Sequence, residues 1–437
     1  MSGRGVVEVD LEYGLDQKVP LFKSILLGLQ WAALLVSVII ILGNVIGALH
    51  FEMQAERIIY LQKLFFLSGA VIFSQVLWGH RLPLVSGPSA VLLIGVISGQ
   101  DSGMSTIYTS VMLGGLFIFV LSVSGLFGYM ERLFTPSVVA VVLMLITFTL
   151  APTIRNLMAD AKGNVEPLYN LFFSIALIFL MFLFYRLLSG IGRSTLLIWA
   201  MIAGSLFYHF VFPANLNPEQ YSTLPWLSGF FQQMNLHLSV QPSVLVSFIF
   251  CSLALSINDL GSIQSVNELL KAEDGAGRVK RGISITGLAN IASGFFGVIG
   301  PVDYSLSPGI IMATRCASRF TLLPASFILL IMAFFPAVAG FIGRVPSTVI
   351  GAILAYAMAS QVAAGLLVAF KEAGDKGFQY ESGLVIGLST LLGTIVAFLP
   401  AQVVDTMPVF LRPIMANGFV TGVTSAFFLE HIVFRKK

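Results

Sequence analysis

The chain has 437 residues, of which 57% are hydrophobic and only 10% charged, and its formal net charge is +3. Soluble domains carry roughly 25% charged residues, so this is the composition of an integral membrane protein. The small net charge, with no basic stretch interleaved with stacking aromatics, excludes nucleic acid as a partner.

Residues 1–22 carry Arg4, Glu8, Asp10, Glu12, Asp16 and Lys18, with no apolar core ahead of a cleavage site. They read as a soluble cytoplasmic tail, not a signal peptide, and no soluble domain is expected at either end. A helix that crosses the hydrocarbon needs about 20 mostly apolar residues. On that basis spans are predicted near 24–48, 59–79, 84–98, 105–129, 134–152, 167–189 and 195–212. They continue near 241–263, 283–300, 304–314, 320–342, 347–369, 381–400 and 406–433, fourteen in all, with the third and tenth short. With the N-terminus inside, the inner loops and span ends hold 18 of the 24 Lys and Arg residues, leaving Arg57, Lys63, Arg155, Lys162, Arg344 and Arg412 outside. That bias predicts a multi-pass protein of the cell (inner) membrane with both termini cytoplasmic. The polar stretch 264–282 reads as a solvated cytoplasmic connection, either a loop or a short surface helix, and 213–240 as the outer link between two halves.

The halves look like copies. Thr135-Pro136-Ser137-Val138-Val139 opens the fifth segment, and Val345-Pro346-Ser347-Thr348-Val349 opens the twelfth, 210 positions later. The short third segment begins Ser86-Gly87-Pro88-Ser89, and the short tenth carries Ser307-Pro308-Gly309. Seven spans is an odd number, so the second half must insert upside down relative to the first. Short, Gly/Pro-interrupted segments at matching places of inverted halves point to a transporter's binding site. A helix that begins inside the membrane leaves its first N–H groups unpaired and concentrates positive partial charge there. Pro88 and Pro308 suit a first helical turn, where a missing N–H costs nothing. Ser89 and Ser307 suit either a capping role or a ligand contact.

Asp259 is the one carboxylate set well inside an apolar segment of the sequence. An acid at that depth costs about 2.5–3.5 kcal/mol on insertion scales. It is either a structural acid hydrogen-bonded between helices or a site for a coupling ion, and both readings stay open. Its neighbour Asn258 is either an interhelical hydrogen-bonder or a substrate contact. Asp303, at the mouth of the tenth span, is a second candidate acid, unless it faces outer water. No Ser/His/Asp set, metal cluster or phosphate loop is present, so an enzyme is not expected and no metal or cofactor is implied. His50, His80, His209, His237 and His431 lie near span ends or in loops and read as interfacial. Cys251 and Cys316 read as packing residues.

From about 22 to 433 the chain resembles the nucleobase transporters of the uracil/xanthine permease type. The likeness is strongest at Gly287-Leu288-Ala289-Asn290-Ile291-Ala292-Ser293-Gly294-Phe295-Phe296-Gly297 and at Gly309, Thr314 and Arg315. Gln30, Gly87 and Pro346 also fall where the family has them. The resemblance implies an all-α membrane fold of 14 transmembrane segments in two inverted seven-span repeats, with half-helices at spans 3 and 10, each preceded by a short strand. It divides the chain after the tail into a core domain (23–132, 241–319 and span 11 in 320–345) and a gate domain (133–240 and 346–437). It also suggests a homodimer through the gate.

The polar positions depart from that family. Its span-eight acid is here Asn258 and a frequent following His is Ser262. The acid or Gln and the Asn opening its span-ten signature are Leu306 and Ser307. Its His beside Gln30 is Trp31. The scaffold is kept while the contacts are replaced, and Leu306 offers no side-chain hydrogen bond.

Carried onto this chain, the candidate substrate-binding residues are Asn258, Gln30, Gly87, Ser89, Leu306 and Ser307, with Asp259 and Asp303 as coupling candidates for H+ or Na+. The expected activity is alternating-access secondary transport of a nucleobase or similar planar heterocycle. A small-anion transporter on the same fold is the alternative, because Ser86-Gly87-Pro88-Ser89-Ala90-Val91 is also similar to the third span of sulfate-permease-type proteins. A channel or scaffold without coupled transport is the third reading, and the buried acid argues against it.

Overall fold

The structure is a computed structural model that describes residues 11–128, 133–160, 165–189, 192–193, 195–213, 225–304, 307–342, 345–373, 378–408 and 412–434. Its first half runs α1 (Leu21–His50), α2 (Gln54–Leu77), β1 (Ser86–Pro88), α3 (Ala90–Ser98), α4 (Met104–Ser124), α5 (Pro136–Met158), α6 (Pro167–Leu187) and α7 (Leu196–Val211). The second runs α8 (Pro242–Leu270), α9 (Gly275–Phe296), β2 (Pro301–Asp303), α10 (Ser307–Thr314), α11 (Leu322–Met332), α12 (Pro336–Ile342), α13 (Ser347–Ala373) and α14 (Tyr380–Ala397). It closes with α15 (Ala401–Thr406), α16 (Arg412–Met415) and α17 (Gly418–Phe428).

Eight of these helices, α1, α2, α4, α5, α6, α8, α13 and α14, are long and apolar enough to cross a membrane. Proline stands in the first turn of α5, α6 and α8, where its fixed φ favours helix entry. Thr135 caps α5, its hydroxyl accepting from Val138 N at 3.3 Å. The segment 264–282 is largely helical, not as a separate surface helix but as the ends of its neighbours: α8 runs on to Leu270 and α9 starts at Gly275. Hydropathy marks where the bilayer ends, and a helix of charged residues can continue past that point. The predicted span at 320–342 divides into α11 and α12 at Pro336, and the last one, 406–433, holds α16 and α17, with α15 ending where it begins.

Two groups of helices pack chiefly among themselves: α1, α2, α3, α4, α8, α9 and α11 in one, and α5, α6, α7, α13, α14 and α17 in the other. The motif that carries the strongest sequence likeness works as packing. A Cβ on Gly294 would lie 2.5 Å from Tyr108 O and one on Gly287 would lie 2.7 Å from Phe119 N, so α9 and α4 touch at backbone distance. The tail is also not free where it is described. Glu12 N donates to Arg315 O at 2.8 Å, Ala317 N to Tyr13 O at 2.9 Å and Ser318 Oγ to Gln17 O at 2.5 Å. Arg319 pairs with Asp16 at 2.7 Å.

β1 and β2 pair antiparallel, with Ser86 opposite Asp303, Gly87 opposite Val302 and Pro88 opposite Pro301. The pairing extends at both ends: Tyr304 N donates to Val85 O at 2.8 Å and Ser89 N to Gly300 O at 3.0 Å. Two extended segments thus meet deep inside the helical protein, each directly ahead of a short helix. The ladder satisfies the facing backbone groups, while the outward N–H and C=O of Asp303 bond to side chains of α8, as interior backbone must find partners.

Candidate functional site

A cavity of about 230 Å³ opens where the strand pair meets α3, between the two helix groups. Its wall takes Val38, Ile41 and Leu42 from α1, Ser89, Ala90 and Val91 from the start of α3, Asn258 from α8 and Tyr304 from the end of β2. From the facing group come Ile146, Leu354, Met358, Ser360 and Gln361. Ligand pockets for drug-sized molecules run to roughly 300–1,000 Å³, so this one suits a single small ring system. A larger cavity of about 560 Å³ between α6 and α7 is lined almost wholly by apolar groups such as Leu177, Phe184 and Trp199, and offers a polar ligand nothing.

The polar groups on the smaller wall are few and partly committed. Asn258 Nδ2 donates to Asp303 O at 3.1 Å, which leaves its Oδ1 and second N–H to present outward. Ser89 is fully buried and its hydroxyl has no partner. It stands at the N-terminus of α3, where the first N–H groups lack intrahelical acceptors. The Tyr304 hydroxyl donates to Pro88 O at 2.8 Å and so fixes the ring against the wall. This needs Gly87, because a Cβ there would lie 2.7 Å from Tyr304 Oη.

Of the residues singled out in the sequence, Asn258 and Ser89 face the cavity. Gln30 lies on α1 eight residues before the wall residue Val38, roughly 12 Å along the helix, and its Nε2 is buried without a partner. Ser307 accepts from Val85 N at 3.2 Å and donates to Tyr304 O at 3.3 Å, bracing the strand pair. Gly87 acts through Tyr304. Leu306 lies outside the described residues. Neither acid lines the cavity. Asp259 accepts from Asp303 N at 2.6 Å, along the edge of β2 that meets α8. Asp303 does not face outer water: it is fully buried, and Ser86 Oγ donates to its Oδ1 at 2.5 Å. A strand inside a membrane protein is as sheltered as a helix there, which hydropathy windows cannot register.

Two residues of interest were missed. His80 is not interfacial; it has no exposure and its Nε2 lies 3.8 Å from Asp303 Oδ2. The signal was the apolar Leu82-Pro83-Leu84-Val85 that follows, which turns inward instead of ending at the surface. Gln361 was legible as the one amide in the apolar run from 347 to 370.

The Permease family profile (Xan_ur_permease) matches residues 22–402, which takes in the strand pair, both short helices and every described wall residue. The chain belongs to this family. Family members are permeases, so the protein is a multi-pass membrane transporter and not an enzyme. Among curated relatives it is 25% identical over 430 residues to the nucleobase transporter PlUacP of Paenibacillus larvae, covering 95% of this chain and 96% of that one. It is 24% identical over 419 residues to the xanthine permease of Bacillus subtilis, with 93% of each covered. At such identities it is a divergent member. Among solved structures, the transmembrane domain of the cyanobacterial bicarbonate transporter BicA superposes with a TM-score of 0.62 at 17% identity, over 88% of this chain and 99% of that one. SLC26A9 does so with 0.58 at 13% identity, over 95% and 66%. These two share the fold.

Proposed function

We propose that the protein carries a nucleobase or a closely related planar heterocycle across the membrane, with the substrate held in the cavity between the two helix groups. The observation that carries this reading is the presence of two amides, Asn258 and Gln361, on the walls that the two helix groups give a small, mostly apolar cavity, in a chain of the Permease family. An amide presents an acceptor and a donor side by side, the pattern found along the edge of a base, and the apolar wall with Tyr304 accepts its faces. The relatives named for nucleobases and xanthine support the same class.

In this reading the fold is fourteen spans in two inverted repeats, with α3 and α10 as the half-helices. Their lengths of 9 and 8 residues and the antiparallel strands ahead of them support it. The group containing α8 is the core domain and the group containing α13 the gate, and transport is a rocking of one against the other. The cavity lies at their boundary, so either side can be closed over it. Accumulation is driven by a coupled H+ or Na+ at Asp259 and Asp303. The gate helices α6 and α14 are only 22% buried over their most apolar windows, which leaves a surface for a homodimer or for lipid. The termini are cytoplasmic in the inner membrane, as the distribution of Lys and Arg favours.

The test is binding and uptake by the purified protein in proteoliposomes, with uracil, xanthine and uric acid in one panel and bicarbonate and sulfate in the other. Stabilisation and uptake of a heterocycle, lost in Asn258→Ala, is the expected result. Response to the anions alone would sink this reading.

A further inference from the structure

Around β2, outside the cavity wall, His80, Asp259 and Asp303 all have zero exposure. Each keeps one polar atom without a partner: His80 Nε2, Asp259 Oδ2 and Asp303 Oδ2. Buried polar atoms are nearly always paired, so three unpaired ones in a single cluster mark a site.

The hydrogen positions follow from the neighbours. Leu82 N donates to His80 Nδ1 at 3.0 Å, so that nitrogen carries no proton and a neutral ring carries its hydrogen on Nε2. Ser86 Oγ donates to Asp303 Oδ1, and Nε2 lies 3.8 Å from Asp303 Oδ2, too long for a hydrogen bond but with its N–H the nearest donor to that oxygen. One hydrogen bond and one nearby N–H dipole favour the charged form of Asp303. Asp259 has one oxygen held by Asp303 N and the other free. The Thr286 hydroxyl from α9 faces the same carboxyl, and Gln75 from α2 donates to Thr286 at 3.2 Å. The nearest cations are engaged elsewhere. Arg278 Nη1 donates to His80 O at 2.9 Å, and Arg319 bonds Asp16 and Val76 O. Among the described residues no Lys or Arg pairs with either acid. Two carboxyls joined through one peptide in a dry site do not both hold charge.

We propose that His80, Asp303 and Asp259 form one proton-binding cluster, in which His80 and Ser86 keep the negative charge on Asp303 and Asp259 Oδ2 takes and releases the coupling proton. One O–H bond forms at Oδ2 when a proton enters from water and breaks when it leaves. A sodium ion fits poorly, since the imidazole N–H puts a donor where a cation needs another oxygen. The link to substrate runs through a single residue. The main-chain N–H of Asp303 is held by Asp259, and its carbonyl accepts from Asn258 on the cavity wall and from Ser262 at 3.0 Å. Protonating Asp259 replaces a charge-assisted bond to that N–H with a weaker neutral one. This frees the strand that orients Asn258, so proton and substrate affinities depend on each other. The role assigned to the cluster rests on the transporter reading above.

The test has a readout that needs no substrate. Infrared titration of the purified protein in lipid follows the protonated-carboxyl band with pH. The band is expected in the wild type, absent in Asp259→Asn, and shifted along the pH axis in His80→Gln. Ser86→Ala, which removes the other donor to Asp303 without touching α2, is expected to shift it as well. In proteoliposomes an imposed pH gradient should drive accumulation in the wild type, while Asp259→Asn retains only exchange. A band that survives in Asp259→Asn, a titration unchanged in both His80→Gln and Ser86→Ala, or accumulation driven by sodium and indifferent to pH would overturn the proposal. If the band behaves as expected while no heterocycle is carried, the substrate assignment fails and the proton site stands.

Discussion

Asn258 and Asp259 are neighbours on α8, yet only Asn258 lines the cavity. The wall that holds Asn258 carries no acid, and Asp259 is fully buried away from it. One residue along a helix turns the side chain by roughly 100°, enough to take Asp259 off that wall. Both nonetheless hold the same residue, Asp303, one at its carbonyl and one at its N–H. The cavity wall and the buried acid are thus joined through the main chain of one residue.

The division between cavity wall and buried acid is broken most completely by Asp259→Asn. Uphill accumulation should vanish while exchange of substrate persists in part, and loss of both to the same degree would mean that Asp259 belongs to the binding wall. Asn258→Ala should do the converse. Removing an amide that reads a base edge costs about 1–1.5 kcal/mol, roughly tenfold in Kd by calorimetry, with expression unchanged. Gly87→Ala sharpens the wall's side of the division. Its Cβ would meet Tyr304 Oη at 2.7 Å, so the Tyr304–Pro88 bond should be lost and affinity should fall by about 1 kcal/mol, without any change in proton titration. The smallest effect is expected from Gln361→Ala, at about 0.5 kcal/mol, since its partner across the cavity remains. A loss there as large as that of Asn258→Ala would move the main reading of the substrate onto the gate side.

Much of the fold could be read because lipid imposes simple rules. Long apolar runs gave α1, α2, α4, α5, α6, α8, α13 and α14 to within a few residues at most ends, and the matched Gly/Pro segments pointed to the two short helices. The errors cluster where a hydropathy window averages over unlike things: the helical continuation past 263, the break at Pro336, and the inward turn that buries His80. The site was harder to read. Asn258 and Ser89 were evident from their depth and position, but Gln30 lies roughly two turns from the wall, and Ser307 braces a strand instead of facing the cavity.

By itself the sequence determined that the chain lives in a membrane, that similar Pro-Ser segments recur 210 positions apart and that it carries an acid deep in an apolar run. Those properties are sums over local composition and spacing. Only the tertiary structure decided that Asp303 and His80 join that acid and that Asn258 turns away from it. The reason is the pairing of β1 with β2 across more than 200 positions of sequence, which brings Ser86 opposite Asp303 and aligns the residues around them. No local pattern encodes the register of two three-residue strands, and here that register sets which side chains meet.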